Sequence, residues 1–274
     1  MMDVKKALEL DDIYVLKQEA QERMNLIQNM VGSLYPSILW EEVTSINYRI
    51  KRLEMDYKFS LDFWEPDHYK NFEKIKKDLV WPDKPKFLEV GTYEGRTATW
   101  LLDNMPNIHL TMLDPDVPEN FHHNMKEHLT SGRATWIKQY SFVELPAMMT
   151  TGVRFDLIYL DGDHNAPGLL EDATMAWRLL NKNGILLFDD YLMEIRDPWF
   201  YIMHKEFDTY KPFGLTFHHP KEAIDAFLTI YKGQYEVYID NYQIGLRKIC
   251  EIGGKNLDHG DEELQTLALQ QESK

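Results

Sequence analysis

Two apolar runs of this 274-residue chain end in acid: Phe155-Asp156-Leu157-Ile158-Tyr159-Leu160-Asp161-Gly162-Asp163-His164 and Ile185-Leu186-Leu187-Phe188-Asp189-Asp190-Tyr191. Runs of this length read as buried strands. In an open parallel sheet, ligands bind beyond the carboxyl ends of the strands. Asp161, Asp189 and Asp190 are therefore expected to converge on one point. Carboxylates brought together repel unless a cation sits among them, and hard oxygen donors favour Mg²⁺ or a similar divalent ion. His164 follows Asp161 by three residues and is placed to act as the base toward an acceptor hydroxyl.

A second group of residues suits a ligand rather than a reaction. In Phe87-Leu88-Glu89-Val90-Gly91-Thr92-Tyr93-Glu94-Gly95-Arg96-Thr97, an acidic residue near a strand end precedes Gly-x-x-x-Gly and a helical stretch, Ala98 to Asp103. Glycines at such a bend let backbone approach a ligand, and the helix N-terminus offers free N–H groups. A dinucleotide loop needs Gly-x-Gly-x-x-Gly, and a phosphate loop needs Lys-Ser/Thr after its last glycine. Neither is present, so an adenosyl ligand without phosphates fits better. Asp114, ending the next apolar run in Leu113-Asp114-Pro115-Asp116, can accept from both hydroxyls of a ribose. Each residue also has a plainer role open to it. Glycines turn strands into helices, Asp163 or Asn165 can cap the helix expected over 166–180, and a loop histidine is commonly just solvated.

These residues need a scaffold, and the hydrophobic pattern supplies one. Strands are expected over Lys86 to Val90, His109 to Leu113, Ala134 to Lys138, Phe155 to Leu160, Ile185 to Phe188, Tyr235 to Ile239 and Tyr242 to Ile249. Amphipathic stretches separate the first five, which is the alternation of a parallel α/β sheet. Only Asp240-Asn241 separates the last two, too short for a helical crossover, so they must form an antiparallel hairpin. Residues 1–80 read as a helical N-terminal extension, ended by Trp81-Pro82-Asp83-Lys84-Pro85. Residues 81–250 carry the ligand-binding domain. Residues 251–274 turn polar and read as a short helix or a loose tail.

Composition narrows the partners. With 30 Lys+Arg against 45 Asp+Glu, the net charge of −15 opposes nucleic acid as a substrate. Cys250 is the lone cysteine, which excludes an internal disulfide and a cysteine zinc cage and fits a reducing cytoplasmic setting. The acidic first twenty residues do not resemble a secretory leader. No window reaches the roughly 18 apolar residues of a membrane span.

Taken together these residues closely resemble the class I S-adenosylmethionine-dependent methyltransferases, in particular the metal-dependent O-methyltransferase branch that includes macrolide-sugar and catechol methyltransferases. The resemblance covers about residues 85–249. It is carried by Glu89-x-Gly91-x-x-x-Gly95, Leu160-Asp161-Gly162-Asp163-His164, Phe188-Asp189-Asp190-Tyr191 and the closing Tyr242-Gln243-Ile244-Gly245-Leu246-Arg247. It implies a Rossmann-like seven-stranded α/β sheet of order 3-2-1-4-5-7-6, mostly parallel with an antiparallel last strand, and helices on both faces. It also implies that Glu89, Gly91, Thr92, Tyr93 and Gly95 line the cofactor, Asp114 holds the ribose, and Asp161 lies beside it. Asp161, Asp189 and Asp190 would be the metal carboxylates and His164 the base. Relatives often have Gly-Asp-Ser after the third strand, where this chain has Gln139-Tyr140-Ser141; Ser141 is left as the adenine contact without an acidic partner.

The expected chemistry is O-methylation of a small-molecule hydroxyl, of sugar or natural-product type. The inserted aromatics Trp199, Phe200, Tyr201, Phe213 and Phe217, with His218 and His219, make 192–220 a candidate acceptor lid or an extra packed helix. The N-terminal helices are the surface expected to support a homo-oligomer. The alternative to an enzyme is a methyltransferase fold that has kept binding and lost chemistry. A nicotinamide oxidoreductase is disfavoured by the missing third glycine.

Overall fold

The computed structural model describes residues 13–29, 56–60, 66–193 and 218–251, with Val43, Ile46, Asn47 and Ile50 as single residues between the first two segments. Among the described residues the elements follow in this order. They are α1 (Ile13–Asn29), α2 (Pro66–Asp78), β1 (Lys86–Val90), α3 (Arg96–Asn104), β2 (His109–Leu113), α4 (Glu119–Thr130) and β3 (Ala134–Ile137). Then come α5 (Ser141–Thr151), β4 (Phe155–Leu160), α6 (Ala166–Leu179), β5 (Leu180–Phe188), α7 (Pro220–Ile230), β6 (Tyr235–Asp240) and β7 (Ile244–Lys248). Among the described residues no helix is long and apolar enough to cross a membrane.

The strands form one sheet of order β3-β2-β1-β4-β5-β7-β6. The five on one side are parallel, β7 runs antiparallel to β5, and β6 pairs antiparallel with β7. This is the Rossmann-like order the resemblance implies, and its parallel strands and terminal hairpin are those that the alternation and spacing of the runs predict. The fifth strand starts earlier than the sequence implies. Asn181-Lys182-Asn183-Gly184 reads as a turn, and Asn183 does take a left-handed φ of 66°. Yet Leu180 pairs with Phe155 across a bulge before regular pairing resumes at Leu157 and Ile185, so the turn is absorbed into the strand. The last strand is shorter than expected, because Asn241 to Gln243 close the turn on themselves through Asn241 N–H to Gln243 O (3.0 Å) and Gln243 N–H to Asn241 Oδ1 (3.0 Å).

Side-chain parity sorts the core into two layers, since successive strand residues face opposite sides. Leu88, Val90, Ile158, Leu160, Leu186, Phe188, Ile244 and Leu246 meet Leu145, Ala173, Trp177 and Phe227 of α5, α6 and α7. Phe87, Leu157, Tyr159, Ile185 and Leu187 face the other side, toward Tyr69, Phe72 and Ile75 of α2 and Trp100, Leu101 and Phe121 of α3 and α4. Helix α2 thus covers the second face of the sheet. Its His68, Tyr69, Asn71, Phe72 and Ile75 are buried at helical spacing, and Phe72 packs on Trp100 and Tyr159 at ring distances of 5.6 and 5.4 Å. Burying one such phenylalanine stabilises by about 1.5–3 kcal/mol. That face carries two polar side chains, His68 and Asn71, inward with the apolar ones.

Candidate active site

The glycine loop and the acid cluster share a wall. Gly91 lies beyond β1 with φ +82°, and a Cβ there would stand 2.1 Å from the Asp161 carbonyl oxygen. The residue is glycine because the ends of β1 and β4 meet at this point, a closer constraint than the ligand approach inferred from sequence. Gly91 N–H donates to Leu113 O and Asp161 N–H to Val90 O, both at 2.9 Å, so parallel pairing continues one step past the strands. Gly95, at φ +77°, opens α3. Between them Tyr93 also takes a left-handed φ of 46° and leaves its ring 43% exposed.

Two carboxylates hold this loop. Asp114 accepts from Thr92 N–H (2.9 Å) and Tyr93 N–H (3.0 Å) at Oδ2, and from Asp116 N–H (3.0 Å) at Oδ1. A carboxylate has about four acceptor directions, so the ribose role inferred for Asp114 is compatible with this anchoring. Glu89 is 1% exposed and accepts from Thr92 Oγ1 at 2.8 Å. Burial pushes its carboxyl well above the usual range, with the charges of Asp161 and Asp114 adding to the rise and Thr92 opposing it. Glu94, inside the loop, is held from outside the domain core: Ser60 donates through both N–H (2.7 Å, to Oε2) and hydroxyl, and Asn120 Nδ2 at 2.9 Å.

The acid cluster divides into an anchored half and an open half. Asp189 Oδ1 accepts from Tyr159 OH (2.6 Å), Gln243 Nε2 (2.5 Å) and His68 Nε2 (3.0 Å). Burial would raise its carboxyl, but His68, Tyr159 and Gln243 hold it below the usual range, at about 2. Asp161, His164 and Asp190 form the open half, with one donor atom from each lying within 4.8 Å of the others. His164 Nε2 stands 3.0 Å from Asp190 Oδ2 and 3.7 Å from Asp161 Oδ1. Tyr242 OH donates to Asp190 Oδ1 at 3.1 Å, and Tyr159 OH lies 3.3 Å from Asp161 Oδ2. Burial, then the charge of Asp189, pushes the Asp161 carboxyl well above its ordinary value. Burial alone would depress the His164 imidazole; Asp190 and Asp161 outweigh it and hold it well above the ordinary value.

The two carboxylates at this spacing are suitable donors for a hard divalent cation, with the imidazole beside them. Asp189 is the sequence-selected acid that stands outside the set. Burial is the larger cause of the rise at Asp161; the repulsion from Asp189 and Asp190 that adds to it is what such a cation would relieve.

Residues 88–191 match a family model described as a methyltransferase domain. That segment spans β1 to the residue after the Asp189-Asp190 pair. An uncharacterized protein of Acanthamoeba polyphaga mimivirus is 29% identical over 116 residues, 40% of this chain and 52% of that protein. The chain therefore spans about half the length of the curated relative it matches. Among solved structures, the O-methyltransferase NovP is similar at TM-score 0.49 and 13% identity, over 68% of this chain and 81% of that one. The MycE methyltransferase of mycinamycin biosynthesis, in complex with Mg and S-adenosylhomocysteine (SAH), is similar at 0.47 and 15%, over 82% and 62%. A Podospora anserina methyltransferase bound to SAH is similar at 0.47 and 16%, over 85% and 88%. Likenesses this distant concern the course of the chain, and nothing about substrate or metal passes from them.

Ser141 begins α5, and its hydroxyl bonds the buried Asp172 of α6. Asn165 stands at the N-cap of α6 without a side-chain cap bond to the helix: Asp163 Oδ1 accepts from Asn165 N–H at 2.8 Å, and Asn165 Oδ1 takes His218 N–H at 3.2 Å. His218 and His219 organise the start of α7: His219 forms a capping box with Glu222, and His218 Nδ1 lies 2.9 Å from Glu222 Oε2. The aromatic part of the proposed lid, Trp199 to Phe217, and the tail beyond Glu251 lie outside the described residues. Sequence reasoning missed His68, Asn71, Tyr159 and Gln243. A histidine and an asparagine on the apolar face of an amphipathic helix were the available signal, because buried polar groups need partners.

Proposed function

We propose that this protein is an S-adenosylmethionine-dependent methyltransferase that methylates a hydroxyl of a small molecule with the help of a divalent cation. One observation carries the reading: Gly91, in the cofactor loop, and Asp161, in the acid cluster, are in backbone contact, so donor and acid sites are neighbours.

Asp161 and Asp190 are the carboxylates that would hold Mg²⁺, which when bound supplies Lewis acidity to the acceptor oxygen. The chain's own residues do the rest. Thr92, Tyr93 and the N-terminus of α3 line the donor loop, and Asp114 keeps that loop in place. In the transfer, an oxygen lone pair forms the new O–C bond while the C–S bond breaks, its electron pair going to sulfur and leaving the thioether SAH. Asp161 and Asp190, once engaged by a cation, no longer lend the carboxylate charge that keeps the His164 imidazole protonated, and His164, positioned between them, then takes the hydroxyl proton. Alignment of oxygen, methyl and sulfur is the larger part of the task.

The test is calorimetric titration of SAH and of Mg²⁺ into wild type and Asp161→Asn. SAH should bind both proteins, with cation binding lost in the variant. Equal cation affinity in the two would remove the metal, and absence of SAH binding would remove the methyltransferase. SAH binding with no methyl transfer to any hydroxyl acceptor would leave a binding protein on this fold.

A further inference from the structure

We propose that His68, on α2 and outside the matched 88–191 segment, is a positioning residue for the cation site, acting through Asp189. This rests on the reading above. Helix α2 reaches the sheet end by two contacts. His68 Nε2 donates to Asp189 Oδ1 at 3.0 Å; a carboxylate with this pattern accepts only, which assigns the proton to that nitrogen. One turn on, Asn71 Nδ2 donates to Gln243 Oε1 (2.8 Å) and Asn241 Oδ1 (2.9 Å), and Asn241 Nδ2 returns a bond to Asn71 Oδ1 (2.8 Å). Gln243 then donates its own Nε2 to the same Asp189 oxygen. His68, Asn71 and Gln243 are 3%, 2% and 0% exposed, so these bonds are shielded from water.

The consequence is geometric. Three donors from three separate elements converge on Asp189 Oδ1 and leave the side chain a single orientation. Asp190 is the next residue, so fixing Asp189 also fixes the direction in which Asp190 leaves the strand. The His68 ring further packs against Tyr242 at 5.7 Å, and Tyr242 OH donates to Asp190 Oδ1 at 3.1 Å. His68 therefore bears on both members of the acid pair, one by a hydrogen bond and the other through a ring contact. Asp189 serves as the fixed post, and Asp161, His164 and Asp190 are the working groups. A site cut down to residues 88–191 lacks His68, Asn71, Tyr242 and Gln243 and so lacks this support.

The experiment uses the full chain without cofactor and Mn²⁺ as the probe, followed by electron paramagnetic resonance, with SAH affinity measured alongside. Loss of an outer partner of a metal ligand typically costs about 10–100-fold in metal affinity, and because His68 acts on the ligand Asp190 only through Asp189, the lower end of that range is expected. His68→Phe should weaken Mn²⁺ by that factor while SAH affinity changes less than about threefold. His68→Gln, which keeps a donor, should recover most of the loss. In Asp189→Asn, adding His68→Phe should cost nothing further, because the two act as one unit. If His68→Phe loses SAH binding through misfolding, His68→Met, of similar bulk without a donor, takes its place. Wild-type Mn²⁺ affinity in the donor-less variant overturns the role of His68 and leaves the proposed function standing. A wild-type protein that binds SAH but not Mn²⁺ overturns the cation in the proposed function, and this role with it.

Discussion

His68 and Asp189 are 121 positions apart in the chain and 3.0 Å apart in space, joined by a buried hydrogen bond. The bond ties a helix that precedes the matched domain to the acid pair at the end of β5. The surroundings of Asp189 are thus assembled from α2, β4, β5 and the β6–β7 turn together.

Gly91→Ala should be among the most damaging single-methyl changes in the chain. The left-handed φ of +82° costs an alanine about 1–2 kcal/mol, and its Cβ would overlap the Asp161 carbonyl at 2.1 Å. A stability loss above about 2 kcal/mol and loss of SAH binding are expected together. Gly132→Ala is the control, with φ +74° and nothing within 4 Å, and should cost only the backbone part. Urea denaturation of both variants tests this; equal losses would refute the close-contact argument.

Asp114→Asn replaces a carboxylate oxygen with an amide group facing the loop N–H groups of Thr92 and Tyr93. Hydrogen bonds to charged groups contribute about 1.5–3 kcal/mol, so a destabilisation of that order is expected, with at least about tenfold weaker SAH binding. Calorimetry that finds normal SAH affinity would show that the carboxylate neither shapes the loop nor meets the ribose.

His164→Gln should lower kcat by about 10²–10⁴-fold, the range for loss of a general base, with SAH affinity changed by less than about threefold. Single-turnover transfer from labelled donor separates this from a binding defect. A variant with normal kcat and reduced stability would reduce His164 to the partner of Asp161 and Asp190.

Asp172 gives a pH dependence of stability away from the acid cluster. It is 3% exposed, and burial raises its carboxyl to about 7, with Asp163 and Glu171 adding and Ser141 opposing. The folded chain holds this proton more tightly than the unfolded chain. Its contribution is therefore full below about pH 4 and is lost as pH rises toward 7. At about 1.4 kcal/mol per pH unit the loss is about 4 kcal/mol at most. Asp172→Asn should flatten the decline between about pH 4 and 7 and be more stable than wild type at pH 8. A wild-type denaturation midpoint constant over that range would contradict the burial of an ionisable carboxyl there.

Much of this protein was legible in its residue order, for a local reason. Runs such as Phe155 to Leu160 and Ile185 to Phe188 are apolar, short and bounded by turn residues, so the strands and the antiparallel hairpin follow from period and spacing. The meeting of Asp161 with Asp190 follows as well, because parallel neighbours must end on the same side. Partnerships across the fold are different in kind. Nothing near Asp189 marks it as held by His68, Tyr159 and Gln243, and nothing near Ser141 marks its hydroxyl as turned to Asp172. Such pairings depend on which faces of sheet and helix are pressed together, and packing determines them only once the chain has closed. Local pattern therefore determined the strands and where the acids emerge; tertiary contact decided which acid is held by His68, Tyr159 and Gln243 and which lie beside His164.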